Sequence, residues 1–308
     1  VITVQSISKY DKKQNSAITI GTFDGVHIGH RKILQRLINN AKELDLRSSV
    51  LTFFPHPRMV LQKDSDIKLL NTLEEKQQIM EGMGLDCLIV HPFTLSFSRL
   101  SATEFVREIL VNQLGIKKII IGYDHRFGRN RNANINDLIT FGNTFDFEVE
   151  EIPAQLIDDV SVSSTKIRKA LEEGDVKTAN TYLGYAYLLT GTVKKGKGLG
   201  KQLDFPTANL HIEETYKLIP KNGVYVVRAK LNHQLVHGMM NIGFNPTVDG
   251  KTRSKEIHFF DFDRDLYDQK IQVELLDRIR DEIKFESVQA LRDQLQKDKE
   301  FSLALISS

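Results

Sequence analysis

Cysteine is nearly missing from this 308-residue chain, and the single Cys87 excludes an internal disulfide. That fits a reducing compartment. Cys87 lies in the apolar run 85–90, which reads as a buried strand with a core thiol. Tryptophan is absent, so any stacking on a flat ring falls to phenylalanine or tyrosine. No apolar run reaches the roughly 18 residues that a membrane-spanning helix needs. No signal-peptide pattern opens the chain. The expected location is therefore cytoplasmic, with no membrane partner. An excess of one charge is missing too. Against 42 Lys and Arg stand 40 Asp and Glu, a formal net charge of +2, so nucleic acid is not an expected partner. There is no low-complexity tract and no internal repeat. What is present is 41% hydrophobic and 27% charged residues, the composition of a soluble globular protein. The length suits two domains.

From residue 17 to about 183, strand and helix patterns alternate. Strands are predicted at 17–21, 49–54, 86–91, 117–122 and 147–152. Helices are predicted at 30–45, 72–82, 101–114, 132–142 and 163–172. Such alternation points to an α/β domain with a Rossmann-like parallel sheet, whose ligands bind beyond the C-terminal strand ends. Near residue 184 the pattern changes to short strands at 187–194, 223–231, 234–242, 255–263 and 269–278, separated by glycine-rich turns. An antiparallel β-barrel or sandwich is expected there. A helix with the apolar stripe Phe285, Val288, Leu291 and Leu295 closes it, and that stripe reads as core packing. The expected domains are 1–183 and 184–308.

Four segments at strand ends of the first half carry unusual chemistry. Gly21-Thr-Phe-Asp-Gly-Val-His-Ile-Gly-His30 links a strand to a helix. Glycines there let the backbone approach a ligand, and the helix start offers N–H groups and a positive dipole end to a phosphate. His27 and His30 then flank a phosphate site. Two histidines at that spacing, with no third ligand, are a poor zinc signal. Phe53-Phe-Pro-His-Pro-Arg58 is stiffened by two prolines, which argue against a helix there, and its aromatics could cover a flat ring. Gly122-Tyr-Asp-His-Arg-Phe-Gly-Arg129 offers Asp124 for ribose hydroxyls or a cation. Ser163-Ser-Thr-Lys-Ile-Arg168 opens a second helix whose start suits phosphate. Taken singly, each also reads as an ordinary connector, a charged surface loop or a plain cap.

In the second half, Gly191-Thr-Val-Lys-Lys-Gly-Lys-Gly198 nearly fits a P-loop. Gly198 stands where the metal-binding Ser or Thr belongs, and Pro206 follows instead of a helix, so a P-loop is rejected. A glycine flap over phosphates or a hairpin loop remains. Thr207 and Asn209 face the same way in an extended chain, and their oxygens could hold Mg²⁺ beside nucleotide phosphates. Glu256 and His258 share one strand face, and Glu256 could act as a general base.

His27-Ile-Gly-His30 spells a signature shared by class I aminoacyl-tRNA synthetases and small nucleotidyltransferases. With Phe54-Pro-His-Pro57, Gly122–Gly128, Ser163–Arg168, Phe205-Pro-Thr-Ala-Asn209, Gly223-Val-Tyr225, Asn241-Ile-Gly-Phe-Asn-Pro-Thr247, Glu256-Ile-His258 and Asp265-Leu-Tyr267, the chain resembles the bacterial bifunctional riboflavin kinase/FAD synthetase family. The resemblance implies phosphorylation of riboflavin to FMN, then adenylylation of FMN to FAD with release of pyrophosphate. ATP is the co-substrate of both steps and Mg²⁺ the cofactor; riboflavin, FMN, FAD, ATP, ADP and pyrophosphate are the small-molecule partners. It assigns Glu256 as the kinase base, with Thr207 and Asn209 as metal ligands. Gly191, Lys197 and Gly198 join those two at the kinase nucleotide. His27 and His30 act on the transferred phosphate. Gly21, Phe23, Asp24, Gly29, Asp124, Ser164, Thr165 and Arg168 hold the second nucleotide and its phosphates. Phe54, Pro55, His56 and Pro57 form a loop near the flavin. Three positions depart from the family pattern: Asp204 and Asp268 replace glycines, and His125 replaces an aromatic. An adenylyltransferase for another phosphate ester and a flavin-binding sensor without turnover are the competing readings. Self-association is left open.

Overall fold

Every residue of Ser16–Ile20 (β2) is buried, as befits a strand covered on both faces. In this computed structural model, which describes residues 1–62, 66–123, 125–153, 162–196, 205–244 and 253–307, β2 lies inside a six-stranded sheet. The others are β1 (Ile2–Gln5), β3 (Arg47–Phe53), β4 (Cys87–His91), β5 (Ile116–Gly122) and β6 (Glu148–Ile152), in the order β1-β4-β3-β2-β5-β6. All pairings are parallel. The connections carry α1 (Ile28–Glu43), α2 (Pro57–Leu61), α3 (Leu73–Gly82), α4 (Ala102–Glu104, running on into π-helical turns over Phe105–Gln113) and α5 (Ile135–Phe145).

Alternation along the strands sorts the core into two layers. Ile18, Leu51, Ile89 and Ile119 pack with Phe105, Leu110 and Leu138. Ala17, Val50, Leu88 and Ile120 pack with Leu34 and Leu37 of α1 and Met80 of α3. The sheet is thus wound on both faces. Strands β3 and β4 lie to one side of β2 and β5 to the other. The strand order reverses there, so the loops after β2 and β5 open on the crevice where such sheets bind ligands. Cys87 is fully buried, and burial pushes its thiol up to about 11; it is a core residue.

The second half forms β7 (Tyr187–Lys194), β8 (Ala208–His211), β9 (Gly223–Leu231), β10 (Gln234–Phe244), β11 (Arg253–Phe259) and β12 (Lys270–Arg280). They close as an antiparallel barrel in the order β10-β11-β8-β7-β12-β9. Helices α6 (Ser164–Glu173) and α7 (Val176–Leu183) precede the barrel and α8 (Val288–Ser307) follows it. Packing divides the chain into residues 1–69 with 73–163, and residues 70–72 with 164–308. The last helix before the barrel ends at Leu183 and the first barrel strand begins at Tyr187. Helices α6 and α7 nevertheless group with the barrel, because Asn180 bonds Leu275 O at 2.9 Å and Tyr187 N at 2.8 Å, and Lys221 N bonds Leu171 O at 2.9 Å.

Two local expectations are corrected. The prolines around His56 do not forbid a helix: Pro57 opens α2 at its first position, where no backbone donor is missed. Only part of the stripe 285–295 packs on the barrel: Leu295 does, whereas Phe285 lies ahead of the helix. Val288 is 69% exposed, while Asp298 and Ser302 are buried. Asp298 lies buried because Arg280 of β12 holds it through Nε at 3.0 Å and Nη2 at 2.7 Å. Leu295 and Ile306 pack beside Phe205, Val224, Met239 and Phe260.

Candidate active sites

Beyond β2 the backbone makes a tight turn. Gly25 has a φ of 86° and requires glycine's freedom, whereas Phe23 (45°) and Val26 (36°) take left-handed conformations without it. For a β-branched residue such as Val26 this is stored strain, which concentrates at functional sites. His27 caps α1: its Nδ1 accepts the His30 N–H at 3.4 Å. A neutral His27 therefore carries its proton on Nε2, which remains to donate elsewhere. The two imidazoles stack with centroids 3.6 Å apart, and Phe23 meets His30 edge-on at 5.1 Å. Gly21 follows β2 directly and its N–H bonds Leu51 O at 3.1 Å; Gly29 is buried in the first turn of α1.

Electrostatics keep this pair uncharged at neutral pH. Burial pushes His27 down to about 4, against the pull of the Asp24 carboxylate. His30 is pushed well down by burial, then by His27 and by Lys76. Its Nδ1 is buried with no hydrogen-bond partner among the described residues. Lys76 of α3 is only 5% exposed; burial lowers its ammonium to about 8, and Asp24 opposes that shift. Its Nζ donates to the Thr22 carbonyl at 2.7 Å.

In the same unit, Phe54 packs on the α1–α3 side of the sheet, and the Phe54–Pro55 peptide is cis. His56 caps α2 by accepting the Arg58 N–H at 3.2 Å. The rings that gather beside the ends of β3 and β4 are Phe53, Phe93 and Phe97, with Phe53 centroids 5.6 and 5.4 Å from the other two. Asp124 lies outside the described residues. His125, in place of an aromatic, still stacks at 6.3 Å on Phe127. Ser164, Thr165 and Arg168 lie in the first two turns of α6, in the second unit, with Ser163 just ahead of them.

In the barrel, Asn209 of β8 pairs with Glu256 of β11 on one side and Lys194 of β7 on the other. The Thr207 hydroxyl donates to the Glu256 carboxylate at 3.4 Å. Thr207, Asn209 and Glu256 thus share one face. His258 donates its Nδ1–H to the Pro206 carbonyl at 2.9 Å, since a carbonyl can only accept. Its ring sits edge-on to Phe205 at 5.0 Å. Gly191 lies within β7, paired with Ile271. Gly196 is a second described glycine near the site: a Cβ there would come within 2.1 Å of the Asn209 amide. Lys197, Gly198, Asp204 and the segment 245–247 lie outside the described residues. Asp268 has a φ of 58°, the left-handed region that favours glycine and that Asp tolerates. Its carboxylate meets Lys194 Nζ at 2.9 Å, which holds it below the usual carboxylate range.

Comparison with known proteins matches each half separately. A family model for FAD synthetase covers residues 9–166 and one for riboflavin kinase covers residues 183–306. The bifunctional riboflavin kinase/FMN adenylyltransferase of Listeria monocytogenes is 37% identical over 95% of this chain and 93% of its own length. The chain belongs to that family. The Haemophilus influenzae member is also 37% identical, over 96% of both chains. A solved structure described as a macrolide-efflux protein from Streptococcus pneumoniae is 32% identical, with a TM-score of 0.88 over 98% of this chain and 99% of that one. Efflux is a description of that neighbour; among the described residues here, no helix is long and apolar enough to cross a membrane. Against the family pattern, the structure adds Lys76, Gly196 and His258 to the surroundings of the two sites. Nothing local in Glu74-Glu75-Lys76 marks Lys76 as buried. His258 was visible on the Glu256 face, but its tie to Pro206 was not.

Proposed function

We propose that this chain builds FAD from riboflavin in two ATP-dependent steps, one at each site. The observation that carries the reading is the two-site construction. A stacked histidine pair stands at a helix start in the parallel-sheet unit, and a Thr–Asn–Glu cluster stands on the barrel.

On the barrel, the riboflavin 5′-hydroxyl attacks the γ-phosphorus of ATP and ADP leaves. Glu256 takes the hydroxyl proton, and Thr207, which bonds its carboxylate at 3.4 Å, orients it. The Thr207 hydroxyl and the Asn209 amide offer neutral, hard oxygens beside one carboxylate, a donor set that fits Mg²⁺ taken up together with phosphates. When bound, Mg²⁺ neutralises charge on the transferring phosphoryl group. Gly196 lets the chain pack directly against Asn209, where a side chain would collide with its amide, and Gly191, Lys197 and Gly198 belong to the same nucleotide region.

At the β2–α1 turn, a phosphate oxygen of FMN attacks the α-phosphorus of a second ATP. The bond to the β-phosphate oxygen breaks and pyrophosphate leaves. His27 donates from Nε2 to the phosphoryl oxygens as charge builds, and the first N–H groups of α1 face the same charge. A neutral imidazole is a donor that needs no protonation step. Gly21, Phe23, Asp24 and Gly29 shape this cradle. Asp124 serves the nucleotide, the Phe54–Pro57 loop the flavin, and Ser164, Thr165 and Arg168 the departing pyrophosphate. These last roles rest on the family pattern.

Chromatography of riboflavin with Mg-ATP over time tests the reading. FMN is expected first and FAD after it. Flavin binding with neither phosphorylation nor AMP transfer would refute it.

A further inference from the structure

Neither reaction uses Lys76, yet it is a buried cation under the adenylylation turn. Its Nζ donates to the Thr22 carbonyl at 2.7 Å, and Thr52 Oγ1 of β3 donates to the same oxygen at 3.3 Å. Thr22 therefore hangs from α3 and β3 together. A trans peptide is planar, so its carbonyl and the next N–H point opposite ways. Holding Thr22 O on Lys76 aims the Phe23 N–H away from the core. Phe23 and Val26, one and four residues on, hold left-handed backbone. Such conformations persist only where surroundings over-determine them. Thr52 already supplies a neutral donor, so a tie alone does not need an ammonium. Burying a charge is costly unless its neighbours use it. Here Asp24, 2% exposed, attracts it across the turn.

We propose that Lys76 is a positioning residue for FMN adenylylation: its ammonium clamps the Thr22 carbonyl and so sets the turn that presents Asp24, His27 and the start of α1 to the triphosphate. It has no part in riboflavin phosphorylation. This rests on assigning adenylylation to the β2–α1 turn.

The test uses the full chain, with both activities measured on each preparation and kcat separated from KM. Lys76→Met is expected to lower the adenylylation kcat about 100-fold, the scale of a misplaced reacting group. KM for FMN and riboflavin phosphorylation stay as in the parent. Lys76→Arg, which restores a cationic donor, recovers a large part of the loss. An unchanged kcat in Lys76→Met, a change in KM alone, or an Arg variant no better than Met overturns the proposal. His27→Ala/His30→Ala runs alongside: if it retains adenylylation, the assignment of the turn is what fails. Should Lys76→Met not fold, Thr52→Val decides, since it removes the other donor to the same carbonyl at nearly constant volume. A roughly five-fold fall in adenylylation alone is expected from one lost hydrogen bond, and an unchanged rate overturns the clamp.

Discussion

Replacing His27 by asparagine should flatten the acid sensitivity of the parallel-sheet unit. His27 is 6% exposed, and burial holds its pKa at about 4 against 6.5 for the unperturbed side chain. Between those values the unfolded chain binds more protons than the folded one. Stability therefore rises with pH in that window and is lost as pH falls from 6.5 toward 4. The whole window is worth up to about 3 kcal/mol, at about 1.4 kcal/mol per pKa unit. Going from about pH 7.5 to about pH 5 spans about 2 kcal/mol of it, roughly a 30-fold rise in the opening equilibrium. Asparagine does not titrate and is a strong N-cap, so it keeps an acceptor for the His30 N–H. The single cysteine supplies the probe: Cys87 is fully buried in β4 of the same unit, so a thiol reagent reaches it through opening. The labelling rate at each pH is divided by the rate in denaturant at that pH, which removes the intrinsic reactivity of the thiol. His30 and His91 are also lowered by burial and act in the same direction, so a residual slope persists in the variant. The difference between the two slopes is the His27 share. Equal slopes in parent and His27→Asn would refute the claim that His27 is buried neutral.

Four further outcomes are expected. His27→Ala with His30→Ala stops FAD formation by at least about 100-fold, the cost of losing one charge-stabilising donor, while FMN still accumulates from riboflavin; loss of both activities in a folded protein counts against separate sites. Glu256→Gln lowers riboflavin phosphorylation at least about 100-fold and leaves adenylylation of supplied FMN unchanged; undiminished kinase turnover removes Glu256 from the base role. Asp298→Ala strands the Arg280 guanidinium and costs about 3–5 kcal/mol, read as a lower urea midpoint for the barrel by tyrosine fluorescence. Asp268→Gly relieves a left-handed backbone and gives up only an exposed ion pair with Lys194, so it raises the barrel's melting temperature; an unchanged or lower value refutes this.

The architecture was legible because burial on both faces leaves a plain mark. Ala17–Ile20 and Ile119–Ile121 are short, largely apolar runs between helical periods, and the structure places them in β2 and β5. The barrel strands announce themselves where Arg228 and Lys230 alternate with buried Tyr225, Val227, Ala229 and Leu231. β1 and β8 were missed because four residues hold too little pattern to separate a strand from a loop. α2 is not legible because proline breaks a helix in its interior yet suits its first position, and the local sequence does not say which applies. In the closing helix the fully buried residues are Asp298 and Ser302, beside the partly buried Leu295 and Ile306, and an apolar stripe cannot point to an ion pair formed with Arg280.

By itself, the sequence determined the two folds, the family, and which residue types stand at the two sites, since local period, turn chemistry and motif order are properties of neighbours along the chain. Tertiary structure decided their chemical state. Only packing stacks His27 on His30 and lowers both by burial, with Lys76 of α3 adding to the shift at His30. Only strand pairing puts Asn209 opposite Glu256. And only the docking of α3 places the charge of Lys76 2.7 Å from the carbonyl of Thr22.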